Sequence, residues 1–168
     1  MRGIGIALQD PDCIPVELPV ALVDYEMPVG NTGIVFVAAL EAQMASWGPV
    51  FSTVSTQAAY RRAGSTLAHM ALVTGETFEF LRHALQMTPA QAAAYLGVTL
   101  SQIQAWEAGQ EVVPTHLWYH MADRVCEVDG REFTPYMTLT EPDFRPRRIR
   151  VFPDIPRPSH NMPDPCAC

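Results

Sequence analysis

Thr88-Pro-Ala-Gln-Ala-Ala-Ala-Tyr-Leu-Gly97-Val-Thr99-Leu-Ser-Gln-Ile103-Gln-Ala-Trp106-Glu-Ala-Gly109 is the stretch on which the fold reading turns. It holds two closely spaced helix starts. Thr88 is a good N-cap, and Pro89 follows it at the first helical position, where a missing N–H costs nothing. Gly97 supplies the left-handed backbone needed to leave the first helix. Thr99 caps the second helix, which ends at Gly109. Ile103 and Trp106 are three apart and therefore share one face, predicted to be buried. Ala92 and Ala93 are small enough to let the second helix cross closely, and Val98 plugs the turn beneath.

Moving outward, Thr74 caps a helix over about 75–86 with Phe78, Leu81 and Leu85 on one face. Pro114 opens another helix carrying Leu117, Met121, Ala122 and Val125, and Asp129-Gly130 is a turn signal. Upstream, Ile34 to Trp47 is apolar nearly all round and reads as a buried helix, begun near Asn31-Thr32-Gly33 and ended by Gly48-Pro49. Ser52 to Val73 reads as helical, with Gly64 a point at which it could break. Before residue 33, Pro15, Pro19 and Pro28 favour extended or edge-strand segments. Trp47, Trp106 and Trp118 all fall at core-like helical positions.

Beyond residue 131 the composition changes, with eight of the fifteen prolines between Pro135 and Pro165. Arg145-Pro-Arg147-Arg148-Ile-Arg150-Val-Phe152 reads as part of an extended arm, with Ile149, Val151, Phe152 and Ile155 as a small apolar anchor. The expected fold is mainly α, in four parts. These are an extended N-terminal segment (1–32), a helical segment (33–75), a helical unit (76–130) and a Pro-rich extended C-terminal arm (131–168).

A hydrophobic content of 48% with 17% charged residues points to a folded chain. The net charge of −7, without a single Lys, argues against wholesale adhesion to nucleic acid or anionic membrane. Charge is uneven: residues 76–130 carry two Arg against seven acids, whereas 131–168 carry six Arg against five. Asp10 and Asp12 precede any long apolar stretch, so no secretory signal is expected. The run Ile34–Leu40 is too short to span a bilayer. A cytoplasmic origin, and residence in a virion, are the expected locations. Cys13, Cys126, Cys166 and Cys168 lack zinc-ligand spacing. Cys166 and Cys168, close to the chain end, read either as a cross-link to a neighbouring chain or as free thiols.

The segment 76–125 resembles the helix-turn-helix of lambda-repressor-like (XRE-type) domains. The resemblance lies in Ala92, Ala93, Gly97, Ile103, Trp106-Glu107-Ala-Gly109 and the helix after Pro114. It implies that the start of the third helix reads duplex DNA in the major groove, through Ser101, Gln102 and Gln104, with Arg82 as the helix-one Arg. Departures from the family pattern bear on this. Pro89 replaces the usual Gln, Leu85 replaces a common basic residue, and no Arg occurs from His83 to Asp123. Non-specific DNA affinity comes largely from phosphate neutralisation. Here that contribution is small unless the arm supplies it through Arg145, Arg147, Arg148 and Arg150; the alternative is that these arginines, with Phe152, bind a protein partner.

His116 and His120 are four apart and could share a helix face, yet the Glu of the zinc-protease motif is missing. A surface or aromatic-packed pair is the plainer reading. No nucleophile elbow, phosphate loop or paired-carboxylate signature is present, so no enzyme, cofactor or metal is expected. Leu100, Tyr95 and Trp118 would suit a protein interface. The expectation is a structural or assembly protein with protein partners in a larger, oligomeric complex, such as a tailed-phage virion component (capsid cement, neck or tail completion). The alternative is a sequence-specific transcriptional regulator, repressor- or antitoxin-like.

Overall fold

The computed structural model describes residues 18–133 and 147–151. Its first elements overturn the reading of 33–75 as helical. Ile34–Ala45 is a strand of twelve residues, β2. It pairs antiparallel with β1 (Val20–Pro28), from Val20 opposite Gln43 to Pro28 opposite Val35. The other edge of β2 is shared by two short strands. β3 (Gly48–Phe51) lies antiparallel against Ala42–Ala45, and β4 (Arg147–Arg150) lies parallel against Ile34–Val37.

The side chains of β2 explain the strand. Ile34, Phe36, Ala38, Leu40 and Ala42 are all buried on one face, while Glu41 and Gln43 on the other are exposed. That is a period of two. The β-branched and aromatic residues at its start pack well on a pleated surface. Trp47 does not occupy a core position: it sits in the β2–β3 turn, 74% exposed.

Ser52 caps α1 (Thr53–Met70), its Oγ accepting from the Ser55 N–H at 3.1 Å. The helix runs unbroken through Gly64. A Cβ there would lie 2.7 Å from Ala84 Cβ and 2.9 Å from Val125 Cγ1. The glycine thus permits a close crossing of three helices rather than a break. Then follow α2 (Gly75–Ala84), α3 (Pro89–Leu96), α4 (Leu100–Glu107) and α5 (Thr115–Val128). Gly75 is equally constrained, since a Cβ at that position would fall 1.9 Å from the Trp106 carbonyl oxygen of α4.

α1 is the common wall of two cores. Ala59, Ala63 and Leu67 pack with Met27, Phe36 and Leu40 of the sheet. Ala68 packs with Phe78, Leu81, Trp118 and Val125 of the helices. Phe80 of α2 crosses into the sheet core, its ring 5.6 Å from both Phe36 and Tyr60. Trp118, expected partly at an interface, is fully buried and donates from Nε1 to Thr77 Oγ1 at 3.0 Å.

The described part of the C-terminal segment is not a free arm. Arg147–Arg150 completes the sheet, and the Val151 N–H bonds the Val37 carbonyl at 2.9 Å. Among the described residues the fold is therefore α/β, a four-stranded mixed sheet with five helices, and not mainly α. None of these helices is long and apolar enough to cross a membrane.

Candidate functional site: the α3–α4 surface and the sheet end

Three successive capping boxes build the α2–α4 unit, at Thr74/Thr77, Thr88/Gln91 and Thr99/Gln102. Each ties two orphan N–H groups at a helix start. Gly97, at φ 69, caps α3 in the left-handed conformation. The consequence for the candidate reading residues is direct. Gln102 Oε1 accepts from the Thr99 N–H at 2.9 Å, so this side chain is occupied by its own helix start. Ser101 and Gln104 are exposed on α4, beside Leu100 (42% exposed).

Arg82 does not reach this surface. It is 6% exposed and forms a two-pronged pair with Glu107, Nε to Oε1 and Nη2 to Oε2 at 3.1 Å. Its Nη1 donates to the Met87 carbonyl at 2.9 Å. The one Arg of the helix pair is thus consumed in joining α2 to α4. A guanidinium buried and held this way is not presented to a phosphate on the surface.

Two of the arm arginines form ion pairs at the surface of the sheet. Arg148 pairs with Glu26, and Arg150 reaches Asp24 at 3.0 Å. Both side chains pass from β4 over β2 to β1. Val37 lies between Glu26 and Arg150 in register and is fully buried although it faces away from both cores. Aliphatic stems of this length can cover such a residue. Arg145, Phe152, Cys13, Cys166 and Cys168 lie outside the described residues.

His120 stacks on Tyr95, ring centres 5.0 Å apart and 22° between planes, while His116 is exposed. Among the described residues no group of three or more His, Cys, Asp or Glu converges as a metal site. Cys126 is buried beneath α1, its Sγ 4.0 Å from His69 Nδ1. Burial, with Asp129 and Asp123 nearby, pushes its thiol up to about 12, the opposite of an activated nucleophile. Close by, Asp129 accepts from Ser65 Oγ at 2.7 Å and faces Arg62 at 3.4 Å, locking the end of α5 to α1.

One feature had no counterpart in the sequence reading. At the end of the sheet away from β4, Val20 (61%), Leu22 (73%), Trp47 (74%) and Val54 (72%) stand exposed, with Val50 at 41%. Val20 and Val50 flank Gln43 in one row across three strands. The sequence signal is Leu40-Glu-Ala-Gln-Met44, an alternation that marks a strand with one solvent face.

No family model matches this chain, and no curated protein or solved structure matches it.

Proposed function

We propose that this chain is a non-enzymatic assembly protein that acts by binding protein partners, with the α2–α5 helices as a rigid packing block. The observation that carries this reading is the contrast between its two outer surfaces. Helices α3 and α4 carry no Arg or Lys to neutralise phosphate, and Arg82 of α2 is buried against Glu107. The outer face of the sheet instead exposes Val20 and Leu22 on β1 and Val50 on β3, large apolar side chains of the kind that mark a protein interface. A tailed-phage virion component is the setting proposed for it, with the Pro-rich residues 131–168 as a further contact segment.

A second reading, a sequence-specific regulator, draws on the helix-turn-helix resemblance and on Ser101 and Gln104, which are exposed near the capped start of α4. Duplex-DNA titration by fluorescence anisotropy separates the two. The assembly reading expects no retained complex at moderate salt. A tight complex with one operator sequence, weakening steeply as salt rises and lost on Gln104→Ala, would overturn it.

A further inference from the structure

We propose that two copies of this chain pair through the open edge of β1, continuing the sheet across a two-fold axis. The inference rests on the assembly reading above and names the partner as a second copy.

β1 is bonded to β2 along all nine residues, and its other edge has no strand partner among the described residues. Such an edge is a row of unpaired N–H and C=O groups, and proteins usually blunt it with charge, a bulge or proline. Val20-Ala-Leu-Val23 carries none of these; the prolines stand at its ends, Pro19 and Pro28. The Met44 N–H bonds the Pro19 carbonyl at 2.8 Å. Backbone groups alternate in direction along a strand, so the odd-numbered residues turn theirs toward β2. Val20, Leu22, Asp24 and Glu26 turn theirs to the open edge.

The same four residues carry the side chains of the outer face, and their order is self-complementary. Antiparallel pairing centred on Leu22 places Leu22 against Leu22 of the partner subunit. It also sets Val20 opposite Asp24 and Leu18 opposite Glu26. No carboxylate then meets a carboxylate, and both acids are already matched within their own chain, by Arg150 and Arg148. Val20 and Leu22 of the two copies become one apolar stripe across the axis. A symmetric contact needs only one such surface, presented twice. The area is small, so dissociation is expected in the micromolar range. Each copy carries a charge of −7, so added salt screens their repulsion and strengthens the pair.

Sedimentation of the full chain over a concentration series tests this. The expected result is a monomer–dimer equilibrium that tightens with salt. Leu22→Lys, at a site 73% exposed, is expected to weaken it roughly tenfold or more with unchanged circular dichroism. In a chain with Cys13, Cys166 and Cys168 changed to Ser, Leu22→Cys is expected to form a disulfide dimer under mild oxidation, because residues paired across the axis stand at bridging distance. The exposed control Val50→Cys is expected to stay monomeric. A monomer at every concentration overturns the proposal, as does a dimer indifferent to Leu22→Lys or a Leu22→Cys chain that does not cross-link. A monomer that also ignores DNA overturns the pairing alone, whereas a tight operator complex overturns the assembly reading itself.

Discussion

The helical half and the sheet half use the same ion pair, an arginine on a carboxylate, in opposite ways. In the helices, Arg82 and Glu107 are buried together, with side chains 7% and 13% exposed. On the sheet, Arg148 and Arg150 bind Glu26 and Asp24 with more than half of each guanidinium side chain in solvent. The first pair joins two helices that cannot otherwise close over a charge. The second covers one apolar strand residue, Val37. The difference teaches that one kind of pair serves as an internal joint in the helices and as a surface contact on the sheet, while helices α3 and α4 themselves carry no Arg or Lys.

Breaking the buried pair gives the largest effect. Glu107→Ala strands Arg82 in a low-dielectric site and is expected to cost about 3–5 kcal/mol in chemical denaturation. The double replacement Arg82→Met with Glu107→Leu is expected to recover most of that loss; no recovery would mean that the pair does more than join the helices. Gly64→Ala comes next. Its new methyl group would press on Ala84 and Val125, and the expected cost is about 1–3 kcal/mol in the same measurement. An unchanged midpoint would show that the three-helix crossing is looser than drawn.

The response to alkali is gentler. Burial raises the Cys126 thiol from the ordinary 9.0 to about 12, and raises Tyr60 from 10.0 to about 12. A folded-state value above the unfolded one means full stability below about pH 9, lost as pH rises toward 12. One unit above the ordinary thiol value the loss is on the order of 1 kcal/mol. Thermal unfolding followed from pH 8 to 11 is expected to show this decline, with the early part flattened in Cys126→Ala. An identical slope in that variant would remove Cys126 as its source. The smallest effect belongs to the exposed pairs: Arg150→Ala is expected to change stability by roughly 0–1 kcal/mol, diminishing further at high salt. A larger loss would mean that the cover over Val37 matters more than the charge.

The same two halves differ in how far they could be read without coordinates. The helices announce themselves at their ends. Thr74, Thr88 and Thr99 each sit before a helix whose third residue completes the cap, and Pro89 and Gly97 mark the bounds of α3. Capping is local chemistry, so it is legible in a few consecutive residues. β2 is not legible as a strand because Ile34–Leu40 is continuously apolar, a pattern that a buried helix and a buried strand share. The alternation that separates them begins only at Leu40, where the outer face of the sheet becomes wet. Gly64 is ambiguous for a related reason: as a residue it suggests a helix break, whereas here it answers a crossing with α2 and α5 that involves residues far along the chain.

The residues singled out in α2 and α4 differ in what the structure makes of them. Ser101 and Gln104 are exposed, Gln102 serves its own helix cap, and Arg82 lies inside. Helix positions, caps and the acidic balance of residues 76–130 follow from local spacing and counting, because a cap or a charge total involves no distant residue. The pairing of Arg82 with Glu107, the strand nature of Ile34–Ala45, the return of Arg147–Arg150 to its edge and the exposure of Val20, Leu22 and Trp47 depend on contacts between remote segments. Burial and pairing belong to the assembled molecule, so these features emerge when the sheet and helices close on the two faces of α1.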